Sequence, residues 1–123
     1  MLEGKLVNLR IEVKEDLSLV AGWLNNPNVL GEYEGFTQIS KSELEKRYSE
    51  THPEQQTFVI EKKDGSKIGL ISHSLMDKVT SLSTFLIPSE RGKGYSTEAT
   101  QVLVDYLFLS KDITRIQVII NRE

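Results

Sequence analysis

The sequence predicts an α/β domain built on a mixed, mainly antiparallel sheet flanked by helices. Three observations carry that expectation. Residues 56–87 hold three successive strand patterns separated by tight-turn signals, the signature of an antiparallel meander. A glycine-bearing loop, Pro88 to Thr97, then joins the last of these strands to a segment with helical apolar spacing. A further strand pattern begins at Ile113, and a strand–helix–strand connection makes that strand parallel to the one before the helix. The expected order is β-α-α-β-β-β-α-β.

The elements follow from local pattern. Lys5 to Glu12 alternates, with Leu6, Leu9 and Ile11 among polar residues, and reads as the first strand. Leu17, Val20, Ala21 and Leu24 then fall on one helical stripe. Asn25-Asn26-Pro27 ends that helix, since the residue before proline is pushed out of the helical region. Trp23, near its end, is expected to pack in or at the rim of the core. Val29 to Ile39 reads as an irregular loop; its Glu32, Tyr33, Glu34 and Phe36 fit either the lining of a cleft or a solvated loop with one tucked aromatic. Ser40-Lys41-Ser42-Glu43 is a capping box opening a short polar helix that ends before His52-Pro53.

Gln56 to Lys62 is a strand on Phe58, Val59 and Ile60, and Asp64-Gly65 turns the chain back into Lys67 to Met76. Thr80 to Ile87 completes the meander. After the loop, Ala99, Val102, Leu103, Tyr106 and Leu107 form one helix face, with Val104 and Phe108 on another side.

Bulk properties narrow the function classes. A chain of 123 residues with 38% apolar and 27% charged residues fits one modest globular domain. A net charge of −3 argues against nucleic-acid binding by bulk positive charge. Cysteine is absent, which excludes disulfides, thiolate metal sites and a thiol nucleophile, and no metal site is expected. No apolar run reaches membrane-spanning length, and no signal-peptide pattern opens the chain, so a cytoplasmic protein is expected.

The loop carries the chemistry. Backbone amides at a helix start, brought close by glycines, receive anions. A Walker A loop needs its lysine after the second glycine, and here Lys93 lies between Gly92 and Gly94. A dinucleotide fingerprint opens a parallel sheet, not one that follows an antiparallel meander. A plain glycine turn would not need two glycines around a lysine preceded by arginine.

Arg91-Gly92-Lys93-Gly94-Tyr95-Ser96 resembles the Arg/Gln-x-x-Gly-x-Gly/Ala signature of the GNAT N-acetyltransferase superfamily. The wider phrase Pro88 to Ala99 is similar to that of the ribosomal-protein N-terminal acetyltransferase branch. So are Leu9-Arg10, Trp23-Leu24-Asn25-Asn26-Pro27 and Arg115 to Asn121. The resemblance implies the acyl-CoA N-acyltransferase fold over residues 1–123 as a single domain. It implies acetyl transfer from acetyl-CoA to a primary amine, either a peptide N-terminus or a small amine; a non-catalytic acyl-CoA-binding module is the alternative.

It places the pyrophosphate on amides of Arg91, Gly92, Lys93, Gly94, Tyr95, Ser96 and Thr97. The pantetheine arm would lie along the backbone of Phe85, Leu86 and Ile87. Ser96 stands where glycine or alanine is usual. The attacking amine must lose a proton, and the strand before the loop offers no carboxylate. Candidates for the base are His73 and the loop residues Glu32 and Glu34. Members of the family continue past the strand at Ile113 into a helix and further strands, so the domain is expected to be C-terminally incomplete and impaired. Its isoleucine-rich last strand would invite a homodimer.

Overall fold

The strands lie side by side in the order in which the chain makes them. The computed structural model describes residues 1–26, 40–49, 55–76, 79–110 and 116–119. Among these, β1 (Leu2–Glu3), β2 (Val7–Ile11), β3 (Gln55–Lys62), β4 (Lys67–Met76), β5 (Val79–Leu86) and β6 (Ile116–Ile119) form one sheet. Pairing is antiparallel from β1 through β5; β6 joins β5 in parallel, with Thr80 opposite Ile116 and Ser83 opposite Ile119. The helices are α1 (Leu17–Leu24), α2 (Lys41–Ser49) and α3 (Tyr95–Ser110). None of the described helices is long and apolar enough to cross a membrane.

This is the expected mixed sheet and element order, with local differences. β1 was not anticipated, because two residues leave no periodicity. A 3₁₀ turn, Lys14–Asp16, precedes α1. α3 begins at Tyr95, ahead of its apolar stripe. The expected loop at Val29–Ile39 lies outside the described residues.

Alternation along the strands sends neighbours to opposite faces. Ile60, Ile71, Leu82 and Leu86 pack with Ala99, Leu103 and Leu107 of α3. Their chain neighbours Val59, Leu70 and Phe85 pack instead with Val20 and Trp23 of α1, with Leu44 of α2 alongside. Trp23 and Phe85 meet with ring centroids 5.9 Å apart. Both faces of the sheet are thus covered by apolar helix surface.

Two details fix the end of β5. A bulge between Ile60 and Glu61 leaves Ile68 without a partner on β3, so Ile68 joins the α3 core while Lys67 turns to the α1 face. Gly69 lies opposite Leu86. A Cβ there would collide with the Phe85 carbonyl oxygen and press on Leu86, so only glycine lets β4 and β5 approach so closely. The Ile87 N–H extends the pairing by donating to the Ile68 oxygen at 2.9 Å.

A buried carboxylate ties β2, β4 and the start of α1 together. Asp16, 2% exposed, accepts from Arg10 Nη2 at 2.9 Å, Arg10 Nη1 at 3.1 Å, Lys67 Nζ at 3.2 Å and the Val13 N–H at 2.8 Å. Arg10 also donates Nε to Glu61 at 2.9 Å. Burial alone would raise the Asp16 carboxyl; the hydrogen bonds from Arg10, Val13 and Lys67 outweigh it and bring it from 3.8 down to about 2.

Two outcomes test this arrangement. The folded state favours ionised Asp16, so the stabilisation is present above pH 3.8 and drains as the pH falls towards 2. Asp16→Asn is expected to cost about 2 kcal/mol at pH 7. The gap to the wild-type protein should close as urea titrations are repeated towards pH 2. Gly69→Ala is expected to cost about 1–3 kcal/mol by overpacking; an unchanged urea midpoint would refute the close approach of β4 and β5.

Candidate functional site

The chain leaves β5 through a 3₁₀ turn, Pro88–Glu90, and passes Arg91 in an extended conformation. Gly92 and Gly94 then take φ of +76° and +84°, a region that side chains disfavour. A Cβ at either position would meet nothing within 4 Å. Glycine is therefore required here by backbone conformation, and the space over the loop is open. The Glu98 N–H donates to the Gly94 oxygen at 3.1 Å, which makes Gly94 the residue that caps α3. The amides of Tyr95, Ser96 and Thr97 head the helix without intrahelical acceptors, at its positive end.

Side chains brace this corner. Arg91 donates Nε to the Leu86 oxygen at 3.0 Å, tying the loop to the strand it left. Glu90 lies between Lys62, at 3.4 Å, and Lys93, at 3.5 Å. Lys62 stands 6.0 Å from the Tyr95 ring centroid, and that ring packs beside the α3 core. Ser96 is buried. Glu98 faces away from the loop: both its oxygens accept the Leu6 N–H, at 2.8 and 2.9 Å. Of the loop's two cations, Lys93 is thus paired with Glu90, while Arg91 is turned to the Leu86 carbonyl. Two open positive-φ glycines ahead of a long helix suit a diphosphate.

The other cofactor positions suggested by the sequence adjoin this corner. Phe85 and Leu86 are fully buried and Ile87 half-buried, their side chains lying in or against the two cores. Among the described residues, β6 accompanies β5 from Thr80 to Ser83, whereas β4 accompanies it on to Leu86.

Of the three suggested bases, His73 alone falls among the described residues. His73 shares the α3 face with Ile71, is 2% exposed, and has Nε2 2.8 Å from Gln56 Oε1. Glu34, like Glu32, lies outside the described residues. No group of three metal-ligating side chains gathers among the described residues.

The opposite sheet face holds groups that sequence reasoning passed over. Thr57, Ser72 and Ser83 are register partners across β3, β4 and β5, and Ser74 pairs with Ser81 in the next row. All five are half-buried. At the β2 end of the first row stands Glu12, whose N–H donates to the Thr57 oxygen at 2.9 Å. Burial, then the nearby charge of Asp16, pushes its carboxyl from 4.5 up to about 7. The Ser-x-Ser spacing at 72/74 and 81/83 was visible in the sequence; which strands would align them was not.

A strand, a glycine loop and a helix start at the corner of a mixed sheet define an α/β protein whose helix-start amides have the geometry that suits an anion. The chain belongs to the acetyltransferase (GNAT) domain family, whose model matches residues 7–123. Spermidine N(1)-acetyltransferase of Escherichia coli K12 is 30% identical over 125 residues, 95% of this chain and 65% of that protein. The Escherichia coli O157:H7 protein of the same name matches equally. The chain therefore spans 65% of the length of these curated relatives.

Among solved structures, spermidine N-acetyltransferase from Vibrio cholerae in complex with CoA and spermine superposes with a TM-score of 0.81. It is 22% identical, covering 94% of this chain and 71% of that one. A dodecameric structure of the Vibrio cholerae enzyme in an intermediate state gives 0.75 at 22% identity, covering 94% and 70%. These likenesses show the fold. The relatives are spermidine acetyltransferases, where the sequence phrases had resembled the ribosomal-protein branch.

A carboxyl raised by burial opposes folding in its charged form. The cost of Glu12 is absent below pH 4.5 and grows as the pH rises through about 7. Glu12→Gln is therefore expected to raise the melting temperature at pH 8 and to leave it nearly unchanged at pH 4.5. Calorimetric scans at the two pH values check this.

Proposed function

We propose that this chain is an N-acetyltransferase domain that moves an acetyl group from acetyl-CoA to a primary amine of a small polyamine such as spermidine. The single observation that carries the reading is the corner at Leu86–Thr97, with two glycines at positive φ and open space before a 16-residue helix. Family membership says what such a corner serves. The names of the curated relatives favour a polyamine over a peptide N-terminus as the acceptor.

In this reading the amides from Arg91 to Thr97 hold the pyrophosphate, and the backbone of Phe85, Leu86 and Ile87 lies along the pantetheine arm. Acetyl-CoA, when bound, supplies the activated acyl carbon: the amine nitrogen forms the C–N bond, the C–S bond breaks, and CoA leaves as the thiol. The amine must arrive neutral or lose its proton nearby. Glu34 and His73 stay the candidates for that task, His73 with the Gln56 contact described above. A backbone amide near Phe85 would polarise the thioester carbonyl. Residues 1–123 act as one domain in this reading, and two copies would pair through β6.

Gly65 supplies a matched control for the loop. It too has positive φ, +91°, and open space at its Cβ position, but sits in the β3–β4 turn. Gly94→Ala and Gly65→Ala should each cost about 1–2 kcal/mol of backbone strain. Only Gly94→Ala, which puts a methyl group into the anion's approach, should weaken acetyl-CoA binding in calorimetric titration, by about tenfold or more. Equal affinity in the two variants would overturn the loop assignment. Thiol release with a panel of amines then separates an enzyme from an acyl-CoA-binding module.

A further inference from the structure

We infer that Glu12 and the hydroxyl rows on the α1 face form the acceptor subsite, with Glu12 holding the distal ammonium of a linear polyamine. The inference rests on the N-acetyltransferase reading above and assigns its acceptor side to residues of this chain.

Position comes first. Glu12 continues the β2–β3 ladder through its N–H to Thr57, so alternation places its side chain on the same face as Arg10. Arg10 on that face reaches Asp16 at the start of α1. From Glu12 the row runs across Thr57, Ser72 and Ser83 on successive strands. Ser83 is followed two residues later on the same face by Phe85, where the acyl group is expected. β2 and β5 are three strand spacings apart, about 14 Å. A linear polyamine can lie along that row with one amine at the β5 end and another at Glu12. A monoamine cannot reach both.

Chemistry agrees with position. Hydroxyls accept hydrogen bonds from ammonium groups without imposing a fixed charge, so the row tolerates methylene and amine alike. Charge recognition then falls on Glu12. Its neighbours on that face are already engaged: Asp16 with Arg10 and Lys67, Glu61 with Arg10. Glu12 itself has no side-chain hydrogen bond or ion pair among the described residues. A half-buried carboxyl in that state is costly unless a cation completes it. The elevation of its carboxyl to about 7 expresses the same cost, and a bound ammonium would relieve it.

The test uses the full chain loaded with CoA, so that no turnover occurs. Spermidine and n-butylamine are titrated calorimetrically into the wild-type protein and into Glu12→Gln at pH 8. Melting temperatures confirm that both are folded, and a separate acetyl-CoA titration reports on the loop. The expected result is that Glu12→Gln weakens spermidine binding about tenfold or more while n-butylamine binding stays the same. Equal spermidine affinity in the two proteins overturns the inference and leaves the acetyltransferase reading standing. A parallel loss for both amines also overturns it, since Glu12 would then not discriminate by length. Failure of the wild-type protein to bind spermidine overturns it too; acetyl-CoA binding in the same sample decides whether the wider reading falls with it.

Discussion

The loop that defines this protein hangs from the last residues of β5, and those are held by the close approach of β4 at Gly69. Leu86 pairs with Gly69, Ile87 reaches back to Ile68, and Arg91 returns to the Leu86 carbonyl. Only then does the chain enter its two left-handed glycines and start α3. The geometry of an anion cradle is usually described by its glycines. Here a third glycine, Gly69 on β4, opposite Leu86, helps set where the loop sits. The bulge beside it serves the same end, because the extra residue lets Ile68 fill one core while Lys67 joins Asp16 on the other face.

Much of this was legible in the sequence because it is local. Asp64-Gly65 forms the turn it announced, with the Gly65 N–H on the Lys62 oxygen at 2.9 Å. Ser40 caps α2 by accepting from the Glu43 N–H at 3.1 Å. The meander and the parallel β6 follow from strand patterns and connection lengths. What escaped is non-local. Asp16 reads in the sequence as an acidic residue near a helix start, yet its charged partners lie on β2 and β4. His73 reads as a titratable strand residue, and only the register shows it on the α3 face beside Gln56. Glu12 reads as the polar end of a strand, with nothing in its neighbourhood to mark it as half-buried.

The two sides of the sheet divide their chemistry. The glycine-loop corner is shaped by backbone, so its signature is conformational and survives in a single sequence as glycine spacing. The polar surface on the α1 face is assembled from side chains of β2, β3, β4 and β5, and such a surface has no contiguous motif. Apolar packing by Trp23 and Val20 covers the half of that face near Phe85, and the hydroxyl rows begin where that packing ends.

The double contact between Glu98 and the Leu6 N–H joins residues 92 apart in sequence. Closing so long a loop costs chain entropy, which the surrounding sheet contacts offset. The first turn of α3 is thus pinned to the opening hairpin. In the folded protein the same link couples local opening of the β1–β2 hairpin to fraying of the helix start that carries the loop. The N-terminal hairpin thus bears on the alignment of the amides of Tyr95 to Thr97.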